Sequence, residues 1–220
     1  MTLTANGPAF VIAISGAPGS GKTTLAKALA RDLGGAPILD YDSYEQITIW
    51  PPERVAVWLG RGAPIAEVPL PGLAADLAAL KQGRAVADRA RGGTMRVSRA
   101  GPRAIVFDTL LGRAHQDSGL LIDYLIWLDV PLDVALARKV RSFTAEARGD
   151  LRAGASLLSH IDTYLGHYED LLRPTYAIQR QRVRPGADLV LPAAPLAALR
   201  DEALSALMRA VPDATSETSE

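Results

Sequence analysis

The sequence predicts an α/β protein: a five-stranded, mainly parallel sheet with helices on both faces. Two observations carry that prediction. Short apolar runs alternate with longer segments in which apolar residues recur every three or four positions. Strands separated by helices need crossover connections, and these produce parallel sheets covered on both sides.

Residues 10–14 are a compact apolar run ending at Ser15, the first strand. Leu25, Leu29 and Leu33 mark one face of the first helix, which Gly34-Gly35 stops. Residues 36–39 form the second strand. Residues 103–107 form the third, introduced by Gly101-Pro102. Residues 124–128 and 188–191 are the fourth and fifth. Pro131 suits the first turn of a helix, with Leu132, Leu136, Val140 and Phe143 on one face. Leu158, Ile161, Leu165, Tyr168 and Leu172 form another stripe. Leu196, Leu199, Ala203 and Leu207 form the last. Residues 1–211 read as one domain, with a hairpin at 84–103 and a lid at 138–150. The Ser/Thr/Glu-rich residues 212–220 read as a flexible tail.

Composition narrows the function. Lys+Arg and Asp+Glu are both 24, so no basic excess suggests a partner in nucleic acid or an anionic membrane. There is no cysteine, which removes disulfides, thiolate metal sites and a thiol nucleophile together. The three histidines show no metal-ligand spacing. No apolar run approaches the roughly 18–20 residues of a membrane helix, and residues 1–9 lack a charged leader. The expected setting is cytoplasmic, and a homo-oligomer is compatible with the sequence. Of 24 basic side chains only four are lysines, so each lysine position is informative.

Lys22 closes the segment Gly16-Ala17-Pro18-Gly19-Ser20-Gly21-Lys22-Thr23, followed by Thr24. It fits GxxxxGK[ST] and lies between a predicted strand and a predicted helix, the context this motif requires. The glycines let the backbone curl round an anion with its N–H groups inward. The next helix offers its positive end to the same phosphates. Lys22 adds a full charge, and the Thr23 hydroxyl is a ligand for Mg²⁺. The fold expected is therefore that of the P-loop NTPases, with ATP and Mg²⁺ bound over 16–24.

Carboxylates at strand ends supply the remaining chemistry. Asp40-Tyr-Asp42-Ser43-Tyr44-Glu45 follows the second strand and should emerge at the carboxyl edge of the sheet, where such folds bind ligands. Asp40 and Asp42 would point the same way if the strand continued. One could take a proton from an acceptor hydroxyl while another held metal-bound water; short acidic residues also begin turns. Asp108 ends the run Ala-Ile-Val-Phe-Asp and suits a carboxylate that orients Mg²⁺. The site residues expected are Lys22 and Asp42 for catalysis, and Thr23, Asp42 and Asp108 for the metal. The residues alone leave Asp40, Asp42 and Asp108 open as the base.

This order of parts resembles the uridine kinase/phosphoribulokinase family of P-loop kinases. Asp42-Ser43-Tyr44 is similar to that family's Asp-Ser-aromatic segment, whose Asp is the base. Lys81-Gln-Gly83 resembles a helix ending in LKxG. Residues 124–141 resemble a strand and an Arg-rich lid helix, and Arg184-Pro-Gly-Ala-Asp188-Leu-Val-Leu resembles a late strand. The resemblance implies transfer of the γ-phosphate of ATP to a hydroxyl of a small molecule, and lid roles for Arg138 and Arg141 within the cluster Arg138, Lys139, Arg141, Arg148. The sequence departs from the family in two places: residues 86–99 hold no Tyr or Phe, and the third strand ends in Asp108-Thr, not Glu-Gly. Six arginines fall between 84 and 103 with one acidic residue, Asp88. They suggest an anionic acceptor held by guanidinium forks, or a solvated surface of an Arg-rich chain. Trp50 and Trp58 are candidate walls of an acceptor pocket, or ordinary packing. Asp40-x-Asp42-x-x-Glu45 is also similar to the acidic segment of shikimate-type kinases. A shikimate/gluconate-type kinase is one alternative, and an ATPase or nucleotide switch another.

Overall fold

The computed structural model describes residues 7–98, 102–147 and 153–210. In chain order they form β1 (Phe10–Gly16), α1 (Lys22–Asp32), β2 (Ile38–Asp40), α2 (Pro52–Gly60), α3 (Leu73–Lys81), β3 (Val86–Ala87), β4 (Thr94–Met95) and β5 (Ala104–Asp108). There follow α4 (Gln116–Gly119), β6 (Tyr124–Asp129), α5 (Leu132–Ala147), α6 (Ala153–Gly166), α7 (Arg173–Val183), β7 (Leu189–Pro192) and α8 (Leu196–Ala210). Strands β2, β5, β1, β6 and β7 lie side by side in that order, and every pairing is parallel.

Alternation along the strands sorts the core into two layers. Val11, Ala13, Ile105, Phe107, Leu125 and Trp127 face one side, against Leu73, Leu77 and Leu80 of α3 and Trp58 of α2. Ile12, Ile14, Val106, Ile126 and Leu128 face the other, against Leu25 and Leu29 of α1 and Leu199, Ala203 and Leu207 of α8. Both faces are covered, which is why the strands read as near-continuous apolar runs.

Register places chemistry at one edge. Asp108 lies opposite Ile14 on one side and Asp40 on the other, so the ends of β1, β2 and β5 converge. β3 and β4 form a short antiparallel hairpin turned by Gly92 and Gly93, both with φ near +80°. No helix among the described residues is long and apolar enough to cross a membrane.

The predicted stripe over 158–172 is not one helical face. Leu158 and Leu165 are exposed, whereas Tyr168 is buried. A turn of π-helix over Tyr168–Leu172 intervenes, with the Leu172 amide bonded to the His167 carbonyl five residues back. Pro174 lacks an amide to continue the regular ladder. The extra residue rotates α7 relative to α6.

Lys81, the lysine of the LKxG segment, acts structurally. Its Nζ donates to both Asp123 carboxylate oxygens at 2.7 and 2.6 Å and to the Leu121 carbonyl at 3.0 Å, while Asp123 also accepts the Val11 amide. α3 is thereby tied to the start of β1 and the entry to β6. Lys81→Met should lower stability by about 1–2 kcal/mol, read by urea denaturation, with ATP affinity unchanged.

Candidate active site

The loop between β1 and α1 folds around its own backbone. Gly16, Gly19 and Gly21 have φ of +148°, +85° and +104°. A Cβ on Gly16 would sit 2.8 Å from the Leu128 carbonyl and 2.9 Å from Ser20 Oγ. On Gly19 it would strike the Ala135 carbonyl of α5. Gly19→Ala should therefore cost about 1–3 kcal/mol from strain at this position and weaken ATP binding, measurable by thermal melting and calorimetry. The start of α1 carries no side-chain cap and no acidic residue, leaving its amides available to an anion. Ser20 is 1% exposed and its hydroxyl has no partner among the described residues.

Lys22 Nζ donates to the Ala17 carbonyl at 3.2 Å. Burial pushes its ammonium below the ordinary pKa, against the pull of Asp108 and Asp42. Thr23 Oγ1 donates to Asp108 Oδ2 at 2.6 Å. Burial raises the Asp108 carboxyl, opposed by Lys22 and the Thr23 hydrogen bond. Thr24 is exposed on the first turn of α1.

β2 ends at Asp40 and a 3₁₀ turn, Tyr41–Ser43, follows, so Asp40 and Asp42 do not share a strand face. Asp40 caps that turn by accepting the Asp42 amide at 3.1 Å. Asp42 reaches the loop, where it shares a small cavity of about 110 Å³ with Lys22, Thr23, Asp108 and Lys139. The loss of hydration there raises the Asp42 carboxyl, Lys22 opposing it. The structure thus gathers Lys22, Thr23, Asp42 and Asp108 in one place.

The helix after β6, α5, also reaches this place. Lys139, not an arginine, lines the cavity, its Nζ 4.9 Å from the centre of the Phe143 ring. Arg138 does not line the cavity but touches the loop, its Nη1 donating to the Ser20 carbonyl at 3.5 Å. Arg141 is exposed and lines neither this cavity nor the larger one described next. Arg148 and the far part of the expected lid lie outside the described residues.

A larger cavity of about 700 Å³ adjoins the first and shares Pro18, Tyr41, Asp42, Leu110 and Lys139 with it. Trp50 and Trp58 both line it, meeting edge to face with ring centres 6.2 Å apart. Trp58 is also core, its indole N–H donating to the Pro64 carbonyl at 3.1 Å. The described arginines of the hairpin line neither cavity. Arg89 pairs with Asp76 at 3.3 Å and stacks over Tyr44, and Arg91 pairs with Asp88 at 3.6 Å. Arg99 lies outside the described residues. Gln179 of α7 escaped sequence reasoning: its buried amide donates to the carbonyls of Leu110 and Gly16, bracing the floor of the site.

Comparison with known proteins agrees with this architecture. A family model described as ATPase family associated with various cellular activities matches residues 12–60, from β1 through α2. A protein described as a possible uridine kinase from Bacillus stearothermophilus superposes with a TM-score of 0.50 at 13% identity, over 84% of this chain and 89% of that one. The fold is that of the P-loop NTPases. Also similar in outline are a shikimate kinase from Acinetobacter baumannii (TM-score 0.48, 17% identity, 93% and 95% of the two chains) and a gluconokinase from Sinorhizobium meliloti (0.42, 21%, 92% and 94%). Comparison with curated proteins gave no match. The loop, Lys22 and the Thr23–Asp108 pair stand together at the carboxyl end of β1 and β5.

Proposed function

We propose that the protein is a kinase that transfers the γ-phosphoryl group of ATP to a hydroxyl of a small molecule. One observation carries this reading: Asp42 lines both the loop cavity and the second, much larger one beside it. A nucleotide switch or simple ATPase needs no such second chamber. Its volume lies within the roughly 300–1,000 Å³ of small-molecule sites.

The acceptor oxygen forms a bond to the γ-phosphorus as the bond from phosphorus to the bridging oxygen of ADP breaks. The hydroxyl proton passes to Asp42 and then to water. Lys22 and Lys139 offset the charge carried by the transferring group and the departing diphosphate. The loop amides hold the phosphates in place, so most of the acceleration is positioning and electrostatics. The hard oxygen donors of Thr23 and Asp108 suit Mg²⁺, which binds proteins through one or two such groups beside substrate phosphates. Bound there, Mg²⁺ would supply further charge stabilisation.

The test is ADP release measured with and without added hydroxyl compounds. The kinase reading expects release to rise at least tenfold with a suitable acceptor. Release at its full rate without any acceptor would favour an ATPase, the activity named by the family model over residues 12–60.

A further inference from the structure

We infer that the acceptor is a neutral alcohol with an aromatic or similarly apolar body, and not a sugar acid or sugar phosphate. The inference rests on the kinase reading and narrows it. Away from the loop, the walls of the larger cavity include Ile47, Trp50, Val55, Trp58, Leu171 and Tyr176. They come from the segment after β2, from α2, and from the π-turn and α7. Both tryptophans have packing partners: Trp58 is buried and its indole N–H donates to the Pro64 carbonyl, and Arg54 packs 3.9 Å over Trp50. Aromatic walls favour flat apolar groups, which bury large area against them.

Charge points the same way. Lys139 is the one Lys or Arg among the described residues lining this cavity, with His167 the other basic side chain there, and Lys139 sits at the junction where the donor phosphates would lie. The lining carboxylates are Asp42 and Glu45. Glu45 is held in place, accepting from the Ile47 amide at 2.8 Å and the Thr48 hydroxyl at 2.7 Å. An anionic acceptor would face both carboxylates and compete with ATP for a single ammonium. No guanidinium fork, the usual partner of carboxylate and phosphate, lines the chamber among the described residues. Burying an anion against these walls without a partner is strongly unfavourable. A neutral hydroxyl beside Asp42, with an apolar body reaching towards Trp50 and Leu171, meets no such penalty.

Two readouts on the intact chain separate this inference from the kinase reading. The first is tryptophan fluorescence without nucleotide; Trp50 and Trp58 line the cavity, whereas Trp127 is in the core. The second is ADP release with ATP and Mg²⁺. The probes are 2-phenylethanol, 3-phenylpropanol and 4-hydroxyphenylethanol against shikimate, gluconate and ribose 5-phosphate. We expect the aromatic alcohols to change the emission saturably and to stimulate ADP release with KM at least tenfold below that of any anion. Val55→Asp and Leu171→Asp should each raise the aromatic acceptor's KM at least tenfold while the KM for ATP stays within twofold. If an anion is the best acceptor, the inference falls and the kinase reading stands. If aromatic alcohols bind but no probe of either class stimulates ADP release, the kinase reading falls, and with it their role as acceptors. If neither class binds or reacts, both fall.

Discussion

On the kinase reading, replacing Lys22 with alanine should reduce acceptor-dependent ADP release by a factor of a hundred to a thousand, equivalent to about 3–4 kcal/mol. The size follows from where the ammonium sits. Nζ is anchored to the Ala17 carbonyl inside the loop, in a setting that strips water from it and lowers its pKa. A charge in such a place acts through a low effective dielectric and is already oriented, so losing it cannot be repaired by solvent. Lys22→Arg should fail as well, because a planar guanidinium is larger than the compact ammonium the loop surrounds. The variants should melt within a few degrees of the wild type, since losing the Nζ hydrogen bond to the Ala17 carbonyl also relieves the cost of burying the ammonium. Folded Lys22→Ala protein with unchanged turnover would remove the loop from the mechanism.

The second large effect is at Asp42. Asp42→Asn keeps the shape of the side chain but cannot take a proton, and the rate should fall by roughly 10²–10⁴. The pH dependence gives the sharper reading. A base works as the carboxylate, and loss of hydration raises the Asp42 pKa above the ordinary 3.8. Activity should therefore rise with pH through that raised value, its acid limb lying higher than a free aspartate would place it. In Asp42→Asn the residual rate should lose this limb. A limb that persists would transfer the role to Asp108, whose carboxyl is raised by burial and which shares the small cavity. Asp40 is a weaker rival because it is engaged in capping the turn that presents Asp42.

The parts legible in the sequence are those set by local rules. The five strands were visible because a parallel sheet buries both faces and leaves apolar runs. The loop was visible because close backbone packing admits only glycine where Gly16 meets Leu128 and Gly19 meets Ala135. The larger cavity shows in the sequence only through Trp50 and Trp58, since its walls join residues near 50 to residues near 170 by tertiary packing. The choice among Arg138, Lys139 and Arg141 turns on which way each faces on α5, which spacing along one helix does not settle without its neighbours. The pairing of the hairpin arginines is likewise not legible from their own segment alone: Asp76, on a different element, binds Arg89, while Asp88 turns back onto Arg91. The π-turn breaks the regular period from which the stripe over 158–172 was read.

The strand that carries the loop is the middle of the sheet, yet both its neighbours come from far along the chain: Phe10 pairs with Ala104, and Ile12 with Tyr124. During synthesis the amino-terminal hundred residues hold the whole GxxxxGKT motif without the two ledges on which it rests. A nascent chain released before Asp129 should leave the ribosome with the motif written but unable to grip a nucleotide, and an early stop codon would yield an inert fragment.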